Sequence, residues 1–322
     1  MGFDLSGLLG GLLDITWQQL IMIAVALLLL YLGIFKDYEP TLLIPIGFGC
    51  ILGNLPVAAN MIGEEGLFGV LYRAGISNEL FPLLIFLGVG AMLDLRPLLS
   101  QPVMFVMGAL AHLGIFATLV IAILLGFNLA EATAIGMIGA IDGPTVIYVN
   151  SKLGSLFVTP GLAAAIAVTA YSYMSLVPII QPPLMRLFTT KKERAIRMEY
   201  TPRPVSRMTV ILFPILITAV AGIFLPEAAP LIATLMLGNL IKESEVVPGL
   251  VETSKNAITN TATIFLGITI GSTMQAATFL NTGTLRVLIL GLIAFALNTI
   301  GGLLFGKLVC LLSGRKINPL VP

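Results

Sequence analysis

Sixteen carboxylates occur in this 322-residue chain, and fifteen lie in polar connections or at the ends of apolar runs. Asp142 is the exception. It sits between the run Ala134 to Ile141 and the run Val146 to Val149, and Gly143-Pro144 follows it at once. A charge near the bilayer midplane costs about 3 kcal/mol by insertion experiments, so it persists where a proton or a small cation neutralises it. Pro144 has no amide hydrogen and, with Gly143, breaks a helix, and broken helices free carbonyl oxygens that can coordinate Na⁺. The same residues also fit a helix start, with Asp142 as N-cap and Pro144 early in the helix. The two readings are compatible, because a cap can also be a ligand.

Asn318-Pro319 offers a neutral oxygen beside a second proline. One charged and one neutral member suit a monovalent cation, whereas two carboxylates would favour a divalent ion or hold a proton. A plain helix start or turn is the alternative. Tyr171-Ser172-Tyr173 lies in a later apolar segment, and two tyrosines two apart on a helix face different sides. His112, the only histidine, has no carboxylate three or four residues away and is expected to be an interior, hydrogen-bonded residue. Gly301 to Lys307 has the glycine spacing of a phosphate loop, but Leu308 stands where Ser or Thr must hold magnesium. Cys50 and Cys310 lie alone in apolar runs and read as small buried hydrophobes. No lysine has a biotin-acceptor setting, so any biotin must be carried by another chain.

The elements that must position these residues follow from composition. Hydrophobic residues make up 57% of the chain and charged residues 10%, with a mean hydropathy of +1.03. A soluble domain carries about a quarter charged residues. That excludes an ordinary water-soluble enzyme, and the formal charge of +1 gives no support to a nucleic-acid partner. Leu20 to Leu32 is apolar on every face, unlike the alternating strands of a porin-type barrel. The fold class is therefore an all-α polytopic membrane protein in a lipid bilayer. About eleven segments are expected, near 18–35, 41–58, 80–93, 103–127, 130–150, 161–181, 208–225, 229–241, 259–274, 284–312, and one starting at 317. The stretch Met1 to Asp14 reads as the lead into an uncleaved first span. Gly49/Gly53, Gly139/Gly143 and Gly302/Gly306 have the spacing of close helix contacts.

The connection at 186–207 carries Arg186, Lys191, Lys192, Arg194, Arg197, Arg203 and Arg207 against Glu193 and Glu199. Such a loop is expected to be cytoplasmic. It separates an N-terminal membrane repeat at 1–185 from a second, incomplete one at 208–322. Leu52-Gly53-Asn54, Ile85-Phe86-Leu87-Gly88 and Ile141-Asp142-Gly143-Pro144 recur in order as Leu237-Gly238-Asn239, Ile264-Phe265-Leu266-Gly267 and Ile317-Asn318-Pro319. Six crossings per repeat would make the halves parallel. Failure of the short third segment of each to cross would invert them, and inverted repeats are the expectation.

Ile141 to Thr145, Ala170 to Met174, Pro178 to Pro183, Thr189 to Arg194, Gly267 to Ser272 and Lys316 to Leu320 together resemble the beta subunits of the biotin-dependent sodium-pumping decarboxylases. These serve oxaloacetate, methylmalonyl-CoA and glutaconyl-CoA decarboxylases, and the resemblance covers nearly the whole chain. It implies a multi-pass subunit of a bacterial or archaeal cell membrane that decarboxylates carboxybiotin with consumption of a proton and exports Na⁺. It implies an alpha carboxyltransferase subunit, a biotin-carrier subunit and a small gamma or delta membrane subunit as partners; homo-oligomerisation is left open. By the same resemblance Asp142 binds Na⁺ in exchange for a proton, Tyr173 lies in that pathway, and Asn318 belongs to the second half of the site. In the family the Asn-Pro motif opens a further membrane stretch, so a chain stopping at Pro322 is expected to be a fragment or defective form unable to pump. The competing readings are a Na⁺-coupled secondary transporter without a biotin partner and a membrane anchor for soluble subunits.

Overall fold

The computed structural model describes residues 15–56, 61–100, 108–109, 112–159, 161–197, 204–314 and 317–320. Met1 to Asp14, the opening of the segment at 103 and Arg203 lie outside the described residues. All regular structure among the described residues is helical. Helix α1 (Trp17–Phe35) starts at a Thr16/Gln19 capping box. Its 19 residues span about 28 Å, close to the thickness of a bilayer core. It is followed by α2 (Pro40–Asn54), the short α3 (Leu67–Leu71) running into a π turn at Tyr72–Ile76, and α4 (Leu80–Met92). Next come α5 (Leu113–Leu124), α6 (Leu129–Met137) with a 3₁₀ turn at Ile138–Ala140, α7 (Gly143–Leu153) and α8 (Leu162–Phe188). Beyond the basic connection lie α9 (Arg207–Phe224), α10 (Ala229–Ser244), the short α11 (Pro248–Thr253) with a π turn at Ser254–Ile258, α12 (Thr259–Thr273) and α13 (Thr282–Leu312). The short helices α3 and α11, with their π turns, were not anticipated. They lie where the sequence has polar residues and no long apolar run.

Contacts fix the relative directions of five helices. Cys50 Sγ approaches Met22 O at 3.6 Å and Gly33 abuts Leu43, so α1 and α2 are antiparallel. The helices α2 and α12 run parallel and touch through glycines; a Cβ on Gly271 would come within 2.1 Å of Ile46 O. The helices α4 and α10 also run parallel, and a Cβ on Gly238 would come within 1.9 Å of Leu87 O. Phe81 stacks on Phe265 at 6.0 Å while Gly88 meets Thr259, so α4 is antiparallel to α12. Two asparagines end matching contacts: Asn54 Nδ2 donates to Met274 O at the end of α12 (2.8 Å), and Asn239 Nδ2 donates to Leu93 O at the end of α4 (3.1 Å).

One face of the bundle is basic. Arg207 at the start of α9 donates to Ser244 O at the end of α10. Arg96, after α4, pairs with Glu243 at 2.7 Å. Lys307, near the end of α13, donates to Phe188 O at the end of α8. Among the described residues, the Lys and Arg found on the opposite face are Arg73, Lys152 and Arg286.

The segment expected at 130–150 folds back on itself. Glu131 Oε1 in the first turn of α6 accepts from Val158 N (3.0 Å) and Thr159 N (2.7 Å), beyond the end of α7. Asn128 Nδ2 donates to Leu156 O at 3.0 Å. The two ends are therefore tied together on the face opposite the basic one. Going inward, Gly136 abuts Ile115 O, and Gly139 abuts Ala294, midway along α13. After Asp142 the chain returns, and α7 ends with Ser151 Oγ on Ile76 O (3.1 Å) and Lys152 on Glu79 (3.2 Å). Residues 129–140 reach about 19 Å and α7 about 17 Å, each a little over half the thickness of a bilayer core. It is thus the Asp142 segment that turns back, while α4 and α12 run between the faces.

Candidate functional site

Ile141 and Asp142 form the tip of this hairpin. Ile141 is left-handed (φ 59°, ψ 33°), a conformation that a β-branched residue rarely adopts. Asp142 is extended (φ −137°, ψ 104°) and half-buried, and it holds the N-cap position of α7 with Pro144 in the first turn. Its carboxylate faces Thr145, whose hydroxyl donates to it and whose backbone N–H lies close by without reaching capping geometry. Among the described residues no three His, Cys, Asp or Glu side chains cluster, and the polar groups described beside Asp142 are hydroxyls. That donor set suits a hard monovalent ion better than a transition metal.

The tyrosine beside Asp142 is Tyr171. Its ring is fully buried against Gly143, where a Cβ would come within 2.3 Å of Tyr171 Cε1. Tyr173, two residues on, faces α13: its hydroxyl donates to Leu288 O and its ring meets Phe295 edge-on at 6.0 Å. The two tyrosines thus serve different neighbours, as their spacing requires. Tyr171 and Thr145 stand in the motifs already quoted, but sequence alone gave no means to rank Tyr171 above Tyr173 or to find the Thr145 bond.

Asn318 lies at the basic face. Its Nδ2 donates to Arg194 O (3.2 Å) and Ile196 O (3.0 Å), and its Oδ1 accepts from Leu320 N (3.0 Å). It shares no described contact with Asp142. Beside it Glu193 caps the short helix Lys191–Arg194 and pairs with Lys307 at 3.5 Å. The Thr190 backbone N–H holds the Glu193 carboxyl below the usual carboxylate range against the opposing effect of burial, with help from the Thr190 hydroxyl and Lys307. His112 is exposed, not interior as expected, and its Nδ1 contacts Gly108 O at 2.7 Å. It stands at the first residue before α5, where the turn directs its ring outward. Cys50 and Cys310 are buried free thiols.

A model of the Na⁺-transporting oxaloacetate decarboxylase beta subunit family matches residues 18–322. The chain belongs to this family. It is 51% identical over 311 residues to the methylmalonyl-CoA decarboxylase subunit beta of Veillonella parvula, covering 97% of this chain and 81% of that relative. It is 49% identical over 313 residues to the glutaconyl-CoA decarboxylase subunit beta of Acidaminococcus fermentans, with the same two coverages. With the oxaloacetate decarboxylase beta chain of Klebsiella pneumoniae it shares 40% identity over 371 residues, 97% of this chain and 84% of that relative. As a beta subunit of this family, the chain is a membrane subunit that couples decarboxylation to Na⁺ transport within a multi-subunit complex.

Proposed function

We propose that the chain takes carboxybiotin from a biotin-carrier subunit charged by an alpha carboxyltransferase, decarboxylates it with consumption of a proton, and exports Na⁺ through Asp142. A small gamma or delta membrane subunit completes the complex in a bacterial or archaeal cell membrane. The basic face lies toward the cytoplasm, since Lys and Arg concentrate there. One observation carries the reading: two half-length helices bring a lone carboxylate to the middle of the bundle. Proton and Na⁺ compete for that one group, which links consumption of a proton to release of the ion. Tyr171 supports the hairpin tip, and Tyr173 fixes α8 on α13 beside it.

The halves are read as inverted repeats. Their support is the exchanged pairing of α2 with α12 and of α10 with α4, the matching bonds of Asn54 and Asn239, and the opposite directions of equivalent helices. For Asn318 the loop carbonyls are the observed partners, so the cation is assigned to Asp142.

The test is Na⁺ movement in proteoliposomes holding the complex. Decarboxylation of the acid substrate should drive Na⁺ transport, and Asp142→Asn should lower both by more than about 100-fold, beyond the usual loss from an outer-shell change. Na⁺ movement without biotin or partners would favour a secondary transporter, and full activity of Asp142→Asn would remove the residue from the pathway.

A further inference from the structure

The return arm of the hairpin leads from Asp142 into a second polar region. A cavity of about 220 Å³ opens between α7, α8, α12 and the π turn at Tyr72–Ile76, on the face opposite the basic one. Ile147, little more than a turn beyond Asp142, is part of its wall, and Ser77, Asn150, Ser151, Ser155 and Thr273 line it. These supply four hydroxyls and one amide, and there is room for several waters. Asn150 is 7% exposed. Its Nδ2 donates to Ala163 O at 2.8 Å, while its Oδ1, also buried, has no hydrogen-bond partner among the described residues. A buried amide oxygen without a donor is uncommon, and an oxygen of that kind is a ligand for a hard cation or its water. Beside the cavity Lys152 faces two carboxylates, Glu79 at 3.2 Å and Glu227 at 3.9 Å, so the local charge does not repel cations.

We propose that this cavity is the passage for a monovalent cation between Asp142 and the face opposite the basic loop, with Asn150 Oδ1 as an intermediate ligand. The proposal rests on the Na⁺-transport reading of Asp142 and adds a site and a direction to it.

The experiment uses the whole complex in sealed vesicles with the face opposite the basic loop outward, and a membrane-impermeant trimethylammonium methanethiosulfonate as probe. Ser155→Cys, at the mouth, should react from outside, and so should Ser151→Cys. Na⁺ at about four times its half-saturating concentration should slow the Ser151→Cys reaction about fivefold relative to a bulky organic cation, as simple site occupancy requires. Adding Asn150→Ala to Ser151→Cys should remove that protection; retained protection would overturn the part given to Asn150 and leave it a packing contact with Ala163. If Ser155→Cys reacts while Ser151→Cys does not, or reacts without Na⁺ protection, the passage is wrong. Na⁺-stimulated decarboxylation by the unaltered complex is measured in parallel: its presence alongside such a result sinks the passage alone, and its absence sinks the Na⁺ reading beneath it.

Discussion

Asp142-Gly143-Pro144 and Asn318-Pro319 both set a polar side chain just before a helix-breaking proline, yet their surroundings differ in every respect. The first is carried into the middle of the bundle by α6 and its 3₁₀ turn, with its carboxylate bonded to the Thr145 hydroxyl. The second lies on the basic face, with its amide bonded to Arg194 O and Ile196 O. A helix of nine residues plus a turn precedes Asp142, whereas three residues separate Gly314 from Asn318. Such a motif sits deep where a short helix carries the chain back into the bundle before it, as α6 does for Asp142.

Three substitutions probe that contrast, and the largest effect is expected at the root of the hairpin. Glu131→Ala removes a buried carboxylate that accepts from three backbone N–H groups and joins the two arms. Bonds to a charged group contribute about 1.5–3 kcal/mol each. The substitution should cost about 3 kcal/mol or more, read as a lowered melting temperature of the purified complex with loss of decarboxylation. Gly143→Ala places a methyl against the Tyr171 ring and should cost about 1–3 kcal/mol through overpacking. A raised half-saturating Na⁺ concentration, partly restored by adding Tyr171→Leu, would separate pressure on the tip from general damage.

Asn318→Ala should have the smallest effect, about 1 kcal/mol, seen as faster proteolysis of the basic loop with the Na⁺ dependence unchanged. A raised half-saturating Na⁺ concentration would instead return Asn318 to the cation pathway. Acid should loosen the same loop. The Glu193 carboxyl is held below its ordinary value, so its contribution is present above the ordinary carboxylate range and lost as pH falls through the lowered value. Glu193→Gln should remove that pH dependence.

Hydropathy located the bulk of the helices, because α1, α9 and α13 are long apolar runs with polar ends. It also isolated Asp142, since one carboxylate inside such runs is conspicuous. It did not reveal that residues 129–153 turn back, because a hairpin of two half-length helices is as long and as apolar as a single crossing segment. The distinction lies in Glu131 and Asn128 reaching Leu156 to Thr159, bonds between residues about 28 apart. Tyr171 and Tyr173 show the same limit on a smaller scale: spacing separates their faces, but packing decides which of them meets the hairpin.

The hairpin itself is tested most directly by the sidedness of its two ends. Single cysteines at Leu129 and Ser155, with a third at Lys191 in the basic loop, are labelled in sealed vesicles of known orientation with an impermeant thiol reagent. Leu129→Cys and Ser155→Cys should both react from the face opposite to that from which Lys191→Cys reacts. Labelling of Leu129→Cys and Ser155→Cys from opposite faces would make the segment a crossing helix and contradict the placement of Asp142 at a re-entrant tip.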